Sequence, residues 1–160
     1  MAQALLVIDM QNGLHDVANF AAVVAKVNQR IALYRQRRKP IIFIQHHEPE
    51  MIMGSVAWQL APELDYQGEP IVHKAHPDSF YQTNLQQVLT AQGLTDLELC
   101  GCQTEFCIDT TLRVAFHLGY HLSIMQGAFG TCDTPTLTAA QINAHHAHIW
   151  AGRFATVLHD

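Results

Sequence analysis

The sequence has few charged residues and very few basic ones. Only 14% of its 160 residues are charged, with 9 Lys or Arg against 14 Asp or Glu, so the formal net charge is −5. Proteins that bind nucleic acids present a concentrated basic surface. Here the basic residues gather at the end of a helical pattern, at Arg35, Arg37, Arg38 and Lys39, where cations complement the helix dipole. The composition therefore predicts no nucleic-acid partner.

Long hydrophobic runs and export features are also missing. No apolar stretch approaches the roughly 20 residues needed to cross a bilayer. The first strand-like run, 4–8, follows neither a basic segment nor a small-residue cleavage site. The chain has 4 cysteines, and without an export signal we expect them to be reduced thiols. These absences predict a cytoplasmic protein that does not associate with membranes.

Apolar residues make up 49% of the chain, which suits a packed core rather than disorder. No repeat, low-complexity tract or linker interrupts the sequence. We therefore expect one domain spanning residues 1–160.

Short β-rich runs alternate with longer helical patterns along the chain. The predicted strands are 4–8, 41–44, 71–73, 97–100, 121–125 and 154–158. The predicted helices are about 17–38, 84–92, 107–118 and 134–149, with Asn84 as a cap and Pro135 at a first helical position. This alternation indicates βαβ units with right-handed crossovers. We expect a Rossmann-like, three-layer α/β sandwich: a six-stranded parallel sheet of order 3-2-1-4-5-6 with helices on both faces.

Three reactive side chains follow strands of this predicted sheet. Asp9 ends the first strand, Lys74 lies just past the third, and Cys107 opens the helix after the fourth. Ligands of open parallel sheets bind beyond the carboxyl ends of the strands, at the point where the strand order reverses. A thiol at a helix N-terminus faces the positive end of the helix dipole, which lowers the pKa of a cysteine. We expect an activated Cys107 close to Asp9 and Lys74.

Three segments carry a resemblance to a known family: Ile8 to Asn12, His73-Lys74 with Ser79-Phe80, and Gly101 to Ile108. They resemble the isochorismatase-like cysteine hydrolases, and the strand–helix order of essentially the whole chain fits that family. The resemblance implies that Asp9, Lys74 and Cys107 form a catalytic triad. It also implies a cis peptide bond between Cys102 and Gln103, with the N–H groups of Gln103 and Cys107 as an oxyanion hole.

The residues themselves suggest the chemistry. Cys107 would attack a carbonyl carbon, while Asp9 would move the proton and Lys74 would hold the charges together. A small amide or ureide would then lose its amine through a thioester, without metal or cofactor. The isochorismatases proper, which cleave a vinyl ether, typically lack the nucleophilic cysteine, so Cys107 favours C–N hydrolysis. The family often forms oligomers, and we expect a homo-oligomer that acts on a small molecule.

Three alternatives are consistent with the same residues. A metal-assisted nicotinamidase would use His47 and neighbouring histidines, although Gln45-His46-His47 lacks the carboxylate that such relatives place there. A non-catalytic small-molecule-binding protein would keep the fold without turnover. A thiol-based redox protein would pair Cys107 reversibly with Cys102 or Cys100.

Selectivity is expected to come from the long segment 45–70 and from side chains near the triad. Loops of that length in a compact domain are usually functional. The candidates for pocket walls are Leu14, Trp58, Phe80 and Gln103, although Trp58 and Phe80 are also large enough for ordinary packing roles.

Overall fold

A six-stranded parallel sheet forms the centre of the molecule in the computed structural model, which describes residues 1–160. Its strands are β1 (Ala4–Ile8), β2 (Ile41–His46), β3 (Ile71–Lys74), β4 (Asp96–Cys102), β5 (His121–Gly130) and β6 (Thr156–Leu158). They lie in the order β3-β2-β1-β4-β5-β6, and every neighbouring pair is parallel. The predicted α/β fold and strand order are confirmed.

Helices cover both faces of the sheet. They are α1 (Phe20–Gln36), α2 (Leu85–Ala91), α3 (Asp109–His117) and α4 (Ala139–Trp150). The buried side of α1 packs in one apolar cluster with Leu5 and Val7. The helices α2, α3 and α4 contribute to a second cluster with Leu6 and Ile8 on the opposite face. None of these helices has the length and apolarity required to span a membrane.

The central strand explains why the sequence folds this way. All five residues of β1 are fully buried, and successive side chains of a strand point to opposite faces. A parallel strand covered on both sides therefore needs a continuous apolar run, which Ala-Leu-Leu-Val-Ile provides. Each fully buried Leu, Ile or Val contributes about 1.5–3 kcal/mol relative to exposure, so β1 anchors both halves of the core.

Several predicted helix starts differ from the structure. The last helix begins at Ala139, because Thr138 and Gln141 form a capping box there and Pro135 lies in the preceding bend. The segment after β4 begins with one turn of π-helix, Thr104–Ile108, before α3. Asn84 precedes α2 as expected, but its side chain makes no capping hydrogen bond.

Gly101 allows β4 to lie against β1 next to the end of that strand. It pairs with Ile8 and has a φ of +119°. A β-carbon at this position would lie 1.9 Å from the carbonyl oxygen of Ile8. Only glycine fits there, and its place fixes the distance between the two central strands beside Asp9.

We predict that Gly101→Ala lowers the free energy of unfolding by about 3 kcal/mol or more, or prevents folding, because the backbone clash adds to the positive-φ strain. Urea denaturation measures the change. Gly119→Ala is the matched control: its φ is +91° and no atom lies within 4 Å of the added carbon, so only strain of about 1–2 kcal/mol is expected. Equal losses in the two variants would contradict the close-approach argument.

Candidate active site

The carboxyl edge of the sheet brings Asp9, Lys74 and Cys107 together. Asp9 follows β1 with a φ of 52°, Lys74 is the last residue of β3, and Cys107 lies in the π-helical turn after β4. The Nζ atom of Lys74 donates to Asp9 Oδ2 at 2.6 Å and to Cys107 Sγ at 3.2 Å. Both Asp9 and Lys74 are buried. One ammonium therefore joins a carboxylate and a thiol below the protein surface.

A fourth residue, His46, completes the surroundings of Lys74. Its Nδ1 atom lies 3.1 Å from Lys74 Nζ. An ammonium has three N–H donors and no acceptor, so Asp9, Cys107 and His46 use all three. Because Nδ1 of His46 accepts a hydrogen bond, the ring proton must sit on Nε2. Burial and the Lys74 charge lower the pKa of His46, which keeps the ring neutral for this role.

The charge balance of the site opposes the lowering of the Cys107 pKa that a helix N-terminus predicts. Burial, followed by the charge of Asp9, raises the pKa of Cys107 to about 12, against the opposing effect of Lys74. Burial also lowers the pKa of Lys74, but Asp9 and Cys107 outweigh it and the net shift is upward. The Lys74 ammonium can compensate one of the two neighbouring anions. Because Asp9 lies closer to it, at 2.6 Å against 3.2 Å for Cys107 Sγ, we expect the resting site to hold a carboxylate, an ammonium and a neutral thiol.

One carboxylate oxygen of Asp9 has no hydrogen-bond partner. Its Oδ2 atom is bound to Lys74, whereas Oδ1 is buried without a partner. A buried acceptor without a partner costs free energy, and such an atom calls for an explanation, a catalytic role among them. Oδ1 is therefore the atom of Asp9 that has free acceptor capacity.

A cavity of about 290 Å³ opens onto these residues. It is lined by Asp9, Leu14, His46, Glu48, Met51, Ala75, Pro77, Gln103, Phe106 and Cys107. Leu14 and Gln103 were predicted as pocket walls and lie in this lining. Trp58 and Phe80 do not: Phe80 packs against the ring of Tyr120, with centroids 5.7 Å apart.

Trp58 positions the long loop instead of lining the cavity. Its ring packs on His73, with centroids 5.4 Å apart. Its backbone carbonyl accepts hydrogen bonds from the side chains of Gln11 and Gln45, at 2.7 and 2.8 Å. Both glutamines are buried, so this carbonyl ties the loop to the ends of β1 and β2.

The end of β2 and the loop after it supply cavity residues that the sequence did not identify as pocket walls. His46 is the last residue of β2, and Glu48 and Met51 lie on the loop, where reciprocal backbone hydrogen bonds join them. The length of the loop was the available signal, but it did not show which side chains turn inward. Phe106, half exposed and next to Cys107, was also missed as a wall residue.

The residues present do not fit a metal site. No three His, Cys, Asp or Glu side chains converge with the arrangement a metal ion needs. The Nδ1 lone pair of His46 is already used by Lys74, and a ligating nitrogen must have its lone pair free. The side chains around Cys107 therefore do not provide a set of metal ligands.

Known proteins share this fold and sequence pattern. A family model for the Isochorismatase domain matches residues 3–158, nearly the whole chain. The protein therefore belongs to the isochorismatase family, and it is a hydrolase.

Individual relatives agree with this assignment. An isochorismatase family protein of known crystal structure is 50% identical, with a TM-score of 0.94 over 97% of this chain and 96% of its own. The secreted isochorismatase effector Isc1 of Verticillium dahliae is 30% identical over 86% of this chain and 77% of its own length. Ureidoacrylate amidohydrolase RutB of Pseudomonas syringae is 30% identical over 73% of this chain and 66% of its own length.

We predict that Asp9→Asn shifts the alkylation of Cys107 to lower pH. The Asp9 charge raises the pKa of this thiol and Lys74 lowers it, so removing the carboxylate leaves the ammonium unopposed. The thiolate fraction at a given pH then increases. Iodoacetamide labelling from about pH 5 to 9, resolved by peptide mass spectrometry, measures the profile against the pKa of about 8.5 that an unperturbed cysteine has.

Asp160→Asn is the control for this experiment, because it removes an exposed carboxylate that binds Lys26. Its profile should match that of the unmodified protein. A Cys107 profile that is unchanged in Asp9→Asn, or shifted to higher pH, would show that Asp9 does not hold the thiol in its protonated state.

Proposed function

We propose that this protein is a cysteine amidohydrolase that cleaves a C–N bond of a small amide or ureide, with Asp9, Lys74 and Cys107 as the catalytic triad. The observation that carries the proposal is the single Lys74 ammonium bound to both the Asp9 carboxylate and the Cys107 sulfur at a cavity wall. A nucleophile beside a base, with a third group orienting both, is the arrangement of covalent catalysis.

The acylation half follows from these positions. Asp9 takes the thiol proton as the Cys107 sulfur attacks the carbonyl carbon, and the carbonyl oxygen becomes an oxyanion. Asp9 then gives its proton to the leaving nitrogen, and the C–N bond breaks. Ammonia or an amine leaves, and the acyl group stays on the sulfur as a thioester. Lys74 remains charged throughout, so the buried site never holds two uncompensated anions.

Hydrolysis of the thioester uses the same groups in reverse. Asp9 takes a proton from a water molecule, whose oxygen attacks the thioester carbon. The C–S bond breaks, the sulfur regains the proton from Asp9, and the carboxylic or carbamic acid leaves. It gives its remaining proton to solvent and becomes a carboxylate or carbamate. Each half therefore returns Asp9 to its starting charge.

The backbone next to Cys107 supports an oxyanion hole. Gln103 lines the cavity, its peptide bond with Cys102 is cis, and its N–H makes no hydrogen bond within the protein. We assign this N–H, with that of Cys107, to the oxyanion. Loss of one such donor typically costs about 10²–10³ in rate.

The relatives support C–N hydrolysis as the reaction type. RutB is named as an amidohydrolase, and the proposed triad of this chain contains a thiol, the nucleophile of the proposed thioester route. A metal-assisted nicotinamidase reaction is not favoured, because the side chains near Cys107 do not form a metal site.

The proposal predicts that Cys107→Ala lowers turnover by at least about 10³-fold. Ammonia release from a panel of small primary amides and ureides measures activity, and the acid-quenched protein is weighed by mass spectrometry to detect an acyl group on Cys107. Cys132→Ala is the matched control, because Cys132 is also partly exposed yet lies outside the cavity lining. Its sulfur accepts a hydrogen bond from the Gln103 side chain at 3.3 Å, but the variant leaves the backbone N–H of Gln103 and the Cys107 thiol in place. It should keep turnover within about threefold of the unmodified protein, and protein treated exhaustively with a chelator should keep full turnover.

Retained turnover in Cys107→Ala would show that Cys107 is not the nucleophile. Loss of turnover on chelation would favour the metal-assisted reaction. Absence of both ammonia and acyl-enzyme across the panel would favour a non-catalytic binding protein.

A further inference from the structure

The cavity contains one charge that the proposed reaction does not use. Glu48 lies in its wall together with Asp9 and Cys107. The Asp9 carboxylate is matched by Lys74, and the Cys107 thiol is neutral at rest, so the charges of these three residues sum to zero. Glu48 therefore gives the cavity a net negative charge.

No Lys or Arg of this chain is available to balance that charge or to bind an anionic substrate. The 9 basic residues include Lys74, whose three N–H groups are already used. Five others bind carboxylates or backbone carbonyls elsewhere: Lys26, Arg30, Arg35, Lys39 and Arg113.

The last three basic residues lie away from the cavity. Arg37 and Arg38 follow α1 before β2 begins, and Arg153 precedes β6. All three are therefore at the amino-terminal edge of the sheet, opposite the edge that holds Cys107. A carboxylate in the cavity would meet Glu48 and find no Lys or Arg partner.

Glu48 is held in place but keeps its acceptor capacity. Its backbone is fixed by reciprocal hydrogen bonds with Met51. Its carboxylate is about half exposed, and its one polar contact is Oε2 to His46 Nε2 at 3.5 Å. That distance is at the limit of a hydrogen bond, so an incoming N–H donor can bind the carboxylate without displacing a strong partner.

We propose that Glu48 is a specificity-determining residue that selects substrates carrying an ammonium, amidinium or other N–H-donating group and disfavours carboxylates. The inference rests on the proposed function, because it assumes that molecules reach Cys107 through this cavity. Two charges a few ångströms apart interact strongly at a partly buried site, and salt weakens the interaction. The selection is therefore a matter of charge rather than shape.

Two thiol reagents of similar size and opposite charge test the selection by Glu48 without a known substrate. The probes are 2-(trimethylammonium)ethyl methanethiosulfonate, a cation, and 2-sulfonatoethyl methanethiosulfonate, an anion. Each transfers its thioalkyl group to the Cys107 sulfur as a disulfide and releases methanesulfinate, and the thiol proton goes to solvent. Rates at Cys107 are measured by peptide mass spectrometry and divided by the rates of the same reagents with N-acetylcysteine.

In the unmodified protein we expect the normalised cation-to-anion ratio to be at least about tenfold at low salt and to fall as salt is added. Glu48→Gln should lower the ratio by about fivefold or more. Glu50→Gln is the matched control, because Glu50 is an exposed carboxylate of the same turn that does not line the cavity. It should change the ratio by less than about twofold.

A ratio near one in the unmodified protein, or equal changes in the two variants, would overturn the inference. The outcome is separate from the test of the proposed function, because the reagents report on the cavity whether or not amides are turned over. Where turnover is observed, 4-aminobutanamide should have a higher kcat/KM than glutaramate, and Glu48→Gln should reduce that preference. Faster turnover of glutaramate would overturn the inference while leaving the hydrolase intact.

Discussion

The buried ion pair between Lys74 and Asp9 is the interaction on which the site depends. Removing either partner of such a pair leaves an uncompensated buried charge, at a cost of about 3–5 kcal/mol. Here the pair also sets the state of the sulfur, because the ammonium that binds Asp9 donates to Cys107 as well. Two residues separated by 65 positions in sequence meet because parallel strands deliver their carboxyl ends to one edge.

The fold gives this pair its rigidity. The strand β1 is buried on both faces, and Gly101 lets β4 approach it at Ile8, the residue before Asp9. Gln11 and Gln45 fix the loop after β2 through the carbonyl of Trp58. The positions of Asp9, Lys74 and Cys107 therefore come from backbone packing, while Glu48 and the other lining residues supply the surface of the cavity.

Much of the fold could be predicted from the sequence, because buried parallel strands are continuous apolar runs. The location of the site could be predicted too, because all strands of a parallel sheet end at the same edge, where ligands bind. The start of α4 could not, since the capping box at Thr138 competes with the proline signal at Pro135. The raised pKa of Cys107 could not be predicted either, because it depends on burial and on the Asp9 charge in three dimensions rather than on helix position. Glu48 lies on a loop whose conformation follows from tertiary contacts, and the His46 ring, at the end of β2, is bound by Lys74 from another strand.

The protonation state of Cys107 in the resting protein shows whether Asp9 or the sulfur is the anion that Lys74 compensates. With carbon-13 at the cysteine Cβ and assignment by comparison with Cys107→Ser, the chemical shift distinguishes thiol from thiolate. We expect the Cys107 signal to keep the thiol position from about pH 5 to pH 9, beyond the pKa of about 8.5 at which an unperturbed cysteine ionises. A thiolate signal at neutral pH would contradict this expectation, because Lys74 would then be compensating the sulfur rather than Asp9.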